Sequence, residues 1–527
     1  MTGERVERSL TGLLEDADGL RAVDDTTPGA TVALLEYLLA ICYASGTYPA
    51  TDTEWQDWVE QGHSLAEAAK WLAEQPDGEW DLFHPTEPLG QNALLAPFLD
   101  RHGAGPAQLV IERVGDYNQF FDHHHLEHPT PLPAAEAFRA MLTQHVYAPA
   151  GRARISGKET LGPTITNLAI GRLSSRIRVV ALGSTLGETL RLNLTPCADG
   201  PGEFNRSWTA GTTERRGFRT KPDGRPVSGP ADLHSHLGRS ILMRPAALPG
   251  TGAGTGTGTG AGAGAKEPAV DRVLVGAGEL LALRRPQLQD VVYASTAEGK
   301  TKPLWASASR AFWRDAHALY AAVKDARRPD DARQSVNLYE RLARFPGPDD
   351  PHGPDSPPVR GIKLWAVGLV AKQTTAITWV SGVYPFAPGL GATLHRASKG
   401  GSEIAEYVAT SLGKAAYAAW EIAYPNPKPS DKAGQIARFD VRWQHWEAAE
   451  DPFNLLLERT ASGEQVDECL LDYASTLASN AAEFLAKSLD SLPRNSRGFQ
   501  ARAAARRRFE SELASRKAPA QLQGEDA

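Results

Sequence analysis

The 527-residue chain is poor in sulfur, with three methionines and only three cysteines, Cys42, Cys197 and Cys469. The cysteines stand far apart and form no CxxC pair, which argues against a disulfide-framed secreted fold and a zinc ribbon. A long apolar run is also missing. The opening MTGERVERSLTGLLEDADGL is charged throughout and does not read as a signal peptide, and the stretch from Thr31 to Ser45 is too short to cross a bilayer. Positive charge is not in excess: 56 Lys and Arg face 63 Asp and Glu, a net charge of −7, which excludes the bulk basicity of a nucleic-acid coating protein. Signatures of common chemistry are absent as well. There is no GxSxG and no GxxxxGK[ST], and no GxGxxG follows a strand pattern. These absences predict a cytoplasmic protein with no membrane association, and the length is ample for cores that need no staples.

What is present divides the chain in two. Ala30 to Ala44 and Trp55 to Ala73 carry apolar residues at helical steps, and Gly78 to Val146 is a stretch of aromatics broken by Pro and Gly. Arg176 to Leu182 and Thr189 to Leu194 read as strands, Leu274 to Leu283 and Arg310 to Ala326 as helices, and Asp290 to Tyr293 and Leu304 to Trp305 as strand edges. Pro249 to Ala265 is a Gly/Thr/Ala tract expected to be a surface loop. Ile362 to Val380 reads as two strands joined across a polar tip, Ala371 to Thr375. After Pro385 the period becomes helical almost to the end, with helices expected over Ser402 to Tyr424, Gln435 to Ser462 with a kink or break at Pro452, Glu464 to Leu492 and Gly498 to Lys517. The expectation is an α+β protein: a mixed α/β domain over residues 1–383, then a four-helix bundle over 384–527.

Two kinds of polar cluster could carry function. Asp122, His123, His124, His125, Glu127 and His128 offer metal-ligand chemistry, and His234 and His236 could join them, but Pro129 and Pro131 follow at once and the HExxH order is absent. A metal-dependent hydrolase or nuclease built on Asp122 to His128 is the rival reading. Basic residues gather at Arg152, Arg154, Lys158, Arg172, Arg176 and Arg178, and again from Arg494 to Lys517, where they could neutralise phosphates locally.

Several segments in order resemble the CasA-type large subunit of Cascade, the type I-E CRISPR interference complex. They are SLTGLLEDADGLR with LLEYLLAICYASG, WDLFHPTEPLGQ from Trp80 to Gln91, QFFDHHH before PAAEAFRAML, LGSTLGETLRLNLTP from Leu182 to Pro196, SGPADLHSHLGRSILM from Ser228 to Met243, AFWRDAHAL from Ala311 to Leu319, and the VGLVAKQTTAITWV hairpin. The resemblance implies a noncatalytic DNA-recognition protein without cofactor or metal. Its implied partners are the backbone, small and guide-handle-binding subunits of the complex, the CRISPR guide RNA, double-stranded target DNA and a recruited helicase-nuclease. Such a subunit reads a short flanking motif from the minor groove, where readout is permissive, while guide pairing supplies the remaining specificity. It also wedges the duplex open for R-loop formation. By the resemblance, Gln373 with Lys372 beside it forms the wedge, Lys300 or Lys302 is the minor-groove lysine, and Phe121 and His123 lie in the loop that reaches the guide handle and a neighbouring subunit. The family's glycine-rich loop falls at Thr164 to Ser175, where this chain has Gly171 followed by Arg172, so an Arg that reads groove shape is expected there. A scaffold that no longer reads DNA is the third reading.

Overall fold

Thr27 begins the helix Pro28–Ala44: its hydroxyl accepts from the Ala30 amide at 3.2 Å, and Pro28 takes the first turn, where a missing N–H costs nothing. The helix is apolar around its whole circumference, and Gly29 through Tyr43 are all buried. The computed structural model describes residues 3–113, 130–149, 151–152, 167–168, 171–208, 224–248, 267–283, 292–295, 301–325, 337–346, 361–372 and 375–523. The chain forms two units, Met1–Ser309 with Ala332–Leu342 and Leu364–Val383, and Arg310–Asp331 with Ala343–Lys363 and Tyr384–Ala527. The second unit thus includes chain from before residue 384. Mixed helices and small sheets, with a helical C-terminal region, give the α+β class expected from the sequence.

In the first unit, β1 (Leu132–Pro133), β6 (Glu267–Ala277) and β5 (Arg239–Leu248) form an antiparallel sheet in that order. β5 pairs with β6 from Arg239↔Ala277 to Leu248↔Glu267, with a bulge between Arg244 and Pro245. The Gly/Thr/Ala tract joins these two paired strands and lies outside the described residues. The first residues of the helix expected over Leu274 to Leu283 are instead the end of β6, and 278–283 form no helix: Val270, Val273 and Val275 are β-branched and buried, and glycines at 276 and 278 disfavour a helix. A second sheet has the order β10 (Thr375–Phe386), β9 (Ile362–Lys372), β4 (Ile177–Leu182). Two ribbons, β2 (Gly151–Arg152) with β3 (Asn167–Leu168) and β7 (Tyr293–Ser295) with β8 (Thr301–Pro303), complete the strands among the described residues. The strand expected over Thr189 to Leu194 is the helix Leu186–Asn193. Its start signal outweighs the alternation, because the Thr185 hydroxyl caps the Glu188 amide at 3.1 Å and the Glu188 carboxylate returns to the Ser184 amide at 2.7 Å. Leu38, Ile41, Tyr147, Leu190, Val367 and Leu369 share the core around the Pro28–Ala44 helix.

Two histidines are buried and neutral in this unit. The His145 Nε2–H donates to the Gly90 carbonyl at 2.9 Å while Nδ1 accepts from the Arg239 amide at 3.2 Å, so a second proton would cost one of these bonds. Burial pushes His145 down to about 4, and burial with the nearby Arg225 pushes His236 down to about 3. The unfolded chain takes up both protons near pH 6.5 and the folded chain does not, so their contribution to stability is complete above that pH and declines as pH falls toward 4. Urea unfolding followed from about pH 8 to about pH 4.5 is expected to show a loss of stability that begins below about pH 6.5. A flat profile across that window would contradict neutral burial.

The second unit centres on the helix Gly391–Ala423, which packs against Glu450–Ala461, Val466–Leu489 and Ser496–Leu513. A Cβ on Gly401 would stand 2.8 Å from Leu456 and 3.1 Å from Phe453, so the small residue sets the approach of the helices. Trp313 fills the space beside Phe453 and Trp446, and the Arg314 guanidinium lies 3.7 Å over the Trp446 ring. The single kinked helix expected over Gln435 to Ser462 is three, Lys432–Ala437, Arg442–Ala448 and Glu450–Ala461. Pro452 breaks nothing, because it falls in the first turn of the last of these. The helix expected from Arg310 begins as a 3-10 turn, Phe312–Asp315, and continues as His317–Asp325.

Candidate nucleic-acid interface

The hairpin β9–β10 forms as its apolar strands and polar tip predict. A Cβ on Gly368 would stand 2.6 Å from the Ile177 side chain and 3.2 Å from the Arg176 carbonyl, whereas Leu182, at the far end of β4, lines one cavity with Trp365. The start of β4 therefore lies against Gly368, and β4 runs antiparallel to β9. Beyond that point β9 continues for four residues to Lys372, roughly 13 Å at strand rise, past the start of β4. Lys372 is exposed, and no carboxylate among the described residues pairs with it. Gln373 lies outside the described residues.

Trp379 anchors the hairpin. Its indole occupies the space a Cβ on Gly29 would need, at the first turn of the Pro28–Ala44 helix. Its Nε1–H donates to the Glu112 carboxylate at 2.7 Å, and its ring meets Tyr147 edge-on at 4.9 Å.

The turn from Gly171 to Ser175 is tied to the interior. The Gly171 amide donates to the Ala148 carbonyl at 2.8 Å and Leu173 to Val146 at 3.0 Å, and a Cβ on Gly171 would stand 2.7 Å from the Val146 carbonyl oxygen. Gly171 is thus required by close packing against residues 146–148. Arg172, expected to face a DNA groove, is buried instead and ion-paired with Glu36. The same carboxylate, 1% exposed, receives Arg178 at 2.8 Å and His234 Nδ1 at 2.7 Å. Burial alone would raise the Glu36 carboxyl, but Arg172, Arg178 and His234 hold it well below the usual carboxylate range. Glu36 is the residue the sequence reading passed over. The signal was present, as a lone carboxylate inside the apolar run ATVALLEYLLAICYA.

The remaining expected residues are dispersed or undescribed. Lys302 stands opposite Ala294 in the β7–β8 ribbon, while Lys300, Phe121, His123 and the whole Asp122 to His128 cluster lie outside the described residues. Among the described residues no group of three His, Cys, Asp or Glu could hold a metal ion, and no helix is long and apolar enough to cross a membrane. The basic group around residues 152–178 is not one patch, since Arg172 and Arg178 turn inward to Glu36. In the terminal helix Ser496–Leu513, Arg494, Arg497 and Arg506 are exposed at or near it, whereas Arg502 donates to the Leu489 and Leu492 carbonyls and Arg508 pairs with Glu512.

The family model for CRISPR-associated protein Cse1 matches residues 1–486. A comparison of the sequence with curated proteins found no match. Among solved structures, CasA (Cse1) of Thermus thermophilus superposes with a TM-score of 0.72 at 19% identity, covering 97% of this chain and 96% of that one. Cse1 of Acidimicrobium ferrooxidans gives 0.69 at 19% identity, with 97% and 95% covered. A chain of a solved CRISPR RNA-guided surveillance complex gives 0.63 at 19% identity, with 95% and 94% covered. The fold built from these residues and the family model that spans nearly all of them agree: the chain belongs to the CRISPR-associated Cse1 family of CasA-type large subunits.

Proposed function

We propose that this protein works as the large subunit of a type I-E CRISPR RNA-guided surveillance complex. In that role it reads the short motif beside the target in double-stranded DNA, helps open the duplex and recruits the helicase-nuclease of antiviral defence. Its partners are the other Cascade subunits, the guide RNA and the target DNA, and it performs no chemistry itself. The observation that carries this reading is the hairpin, which runs past the start of β4 toward an exposed lysine and is anchored part-way along by Trp379. A rigid, narrow ribbon with a polar tip can enter a duplex and meet the groups that a parted base pair exposes. The Gln373 amide both donates and accepts, so it can stand in for the lost pairing partner and offset part of the unstacking cost. Lys372, with Lys300 or Lys302, supplies cations for phosphates or groove acceptors. Gly171 lets the turn pack against residues 146–148, and Arg172 supports that turn from beneath through Glu36. Phe121 and His123 supply aromatic stacking for the guide handle.

The test compares wild type with Gln373→Ala, each reconstituted with guide-bearing subunits, on a fully paired target and on one already opened as a bubble. The variant is expected to slow strand opening at least about tenfold, a loss of ~1.4 kcal/mol or more, while binding the bubble almost normally. Equal loss on both targets would remove the wedge assignment. Binding that ignores randomised flanks while assembly stays intact would favour the scaffold that no longer reads DNA.

A further inference from the structure

Trp305 is 53% exposed, an unusual position for so large an apolar side chain, yet its backbone is fixed. It forms an antiparallel bridge with Arg176, and the next amide, Ala306, donates to the Ser175 carbonyl at 3.0 Å. Ser175 itself has φ 60°, the one described non-glycine residue in the left-handed region, so the turn that carries this contact is held in a conformation ordinary loops avoid. A Cβ on Gly368 would stand 3.0 Å from Ala306. Trp305 is therefore set into the sheet at the point where β9 passes the start of β4.

Charge completes the arrangement. The Arg176 guanidinium carbon lies 5.7 Å from the centroid of the Trp305 ring, within cation–π range. No carboxylate among the described residues pairs with Arg176, whose side chain is half-buried, with Nη1 buried and without a hydrogen-bond partner. Arg172 and Arg178 are neutralised by Glu36, whereas Arg176 has no carboxylate partner among the described residues. The residues after the ring, Ala306, Ser307, Ala308 and Ser309, are small and half polar.

We propose that Trp305 and Arg176 form a stacking platform for an unpaired DNA base at the junction where the duplex opens. The indole takes the face of the base, and the guanidinium meets the adjoining phosphate, an arrangement that accepts any base because each has a π-face. The inference rests on the reading of the β9–β10 hairpin as a wedge, since a base becomes unpaired here only if the hairpin parts the strands.

The test uses the full chain reconstituted with its partner subunits and guide, on a target carrying 2-aminopurine at the first positions to unpair beside the flanking motif. Wild type is expected to quench the probe on the bubble target. Trp305→Ala should abolish the quenching and weaken bubble binding about tenfold, and Trp305→Phe should restore most of both. Gln373→Ala separates the two readings. If it blocks strand opening while Trp305→Ala quenches and binds like wild type, the wedge stands and the platform falls. If Trp305→Ala loses bubble binding while Gln373→Ala opens the duplex normally, the platform stands and the hairpin parts the strands without the Gln373 amide. Failure of Trp305→Ala to assemble with the partner subunits would show that the ring is covered by protein, and would overturn the proposal.

Discussion

Replacing Glu36 by Gln is expected to destabilise the first unit by about 3–5 kcal/mol, because it leaves two buried guanidinium groups without their shared counter-charge. Arg172 and Arg178 sit 7% and 3% exposed, so neither can recover its hydration without opening the packing between the Pro28–Ala44 helix and the start of β4. The readout is hydrogen exchange of residues 29–43, which should rise steeply, together with an earlier thermal transition. A compensated variant, Glu36→Leu with Arg172→Met and Arg178→Met, keeps the volume and removes all three charges, so most of the stability should return. If the triple variant is no better than Glu36→Gln, the three residues are not coupled through charge. The Glu36 carboxyl is held low, so its contribution is complete above the usual carboxylate range and is lost only as pH falls through the depressed folded value. That loss begins at lower pH than the weakening caused by the buried histidines.

Gly29→Val should cost about 3 kcal/mol and detach the hairpin at Trp379. The added side chain would occupy the space of the Trp379 indole, and that ring cannot swing aside cheaply while Glu112 holds its Nε1–H and Tyr147 packs against it in a T-shaped contact. Gly29 has no positive φ, so the effect is one of volume and not of backbone strain. Tryptophan fluorescence and exchange over residues 362–386 would follow the detachment. If the hairpin opens DNA, strand opening should fall with it, while Trp379→Ala combined with Gly29→Val should cost little more than the worse single change. Strictly additive losses would mean that the two residues do not share one site.

The hairpin was legible because two apolar strands joined across a polar tip are local signals, and the C-terminal helices were legible because the 3.6-residue period persists there over many turns. The misreadings were local signals that competed. In TLRLNL the alternation was clear, but the cap formed by Thr185 and Glu188 lay just upstream and decided for helix. In the segment that ends β6, the apolar spacing suited a helix until pairing with β5 satisfied its backbone. Arg172 was misread for a different reason. A basic residue after a glycine reads as exposed until Glu36, 136 positions away in sequence, is brought beside it.

Composition and pattern by themselves determined the α+β class, the absence of a disulfide framework, the hairpin and the helical C-terminal region, because each depends on neighbours within a few residues. Only the tertiary structure decided which charges are available. Arginines 172, 176 and 178 are equivalent in composition and spacing, yet the fold neutralises two of them in the interior and leaves the third against an exposed tryptophan. The interaction of charges depends on distance and dielectric, and both are set by residues far apart in the chain.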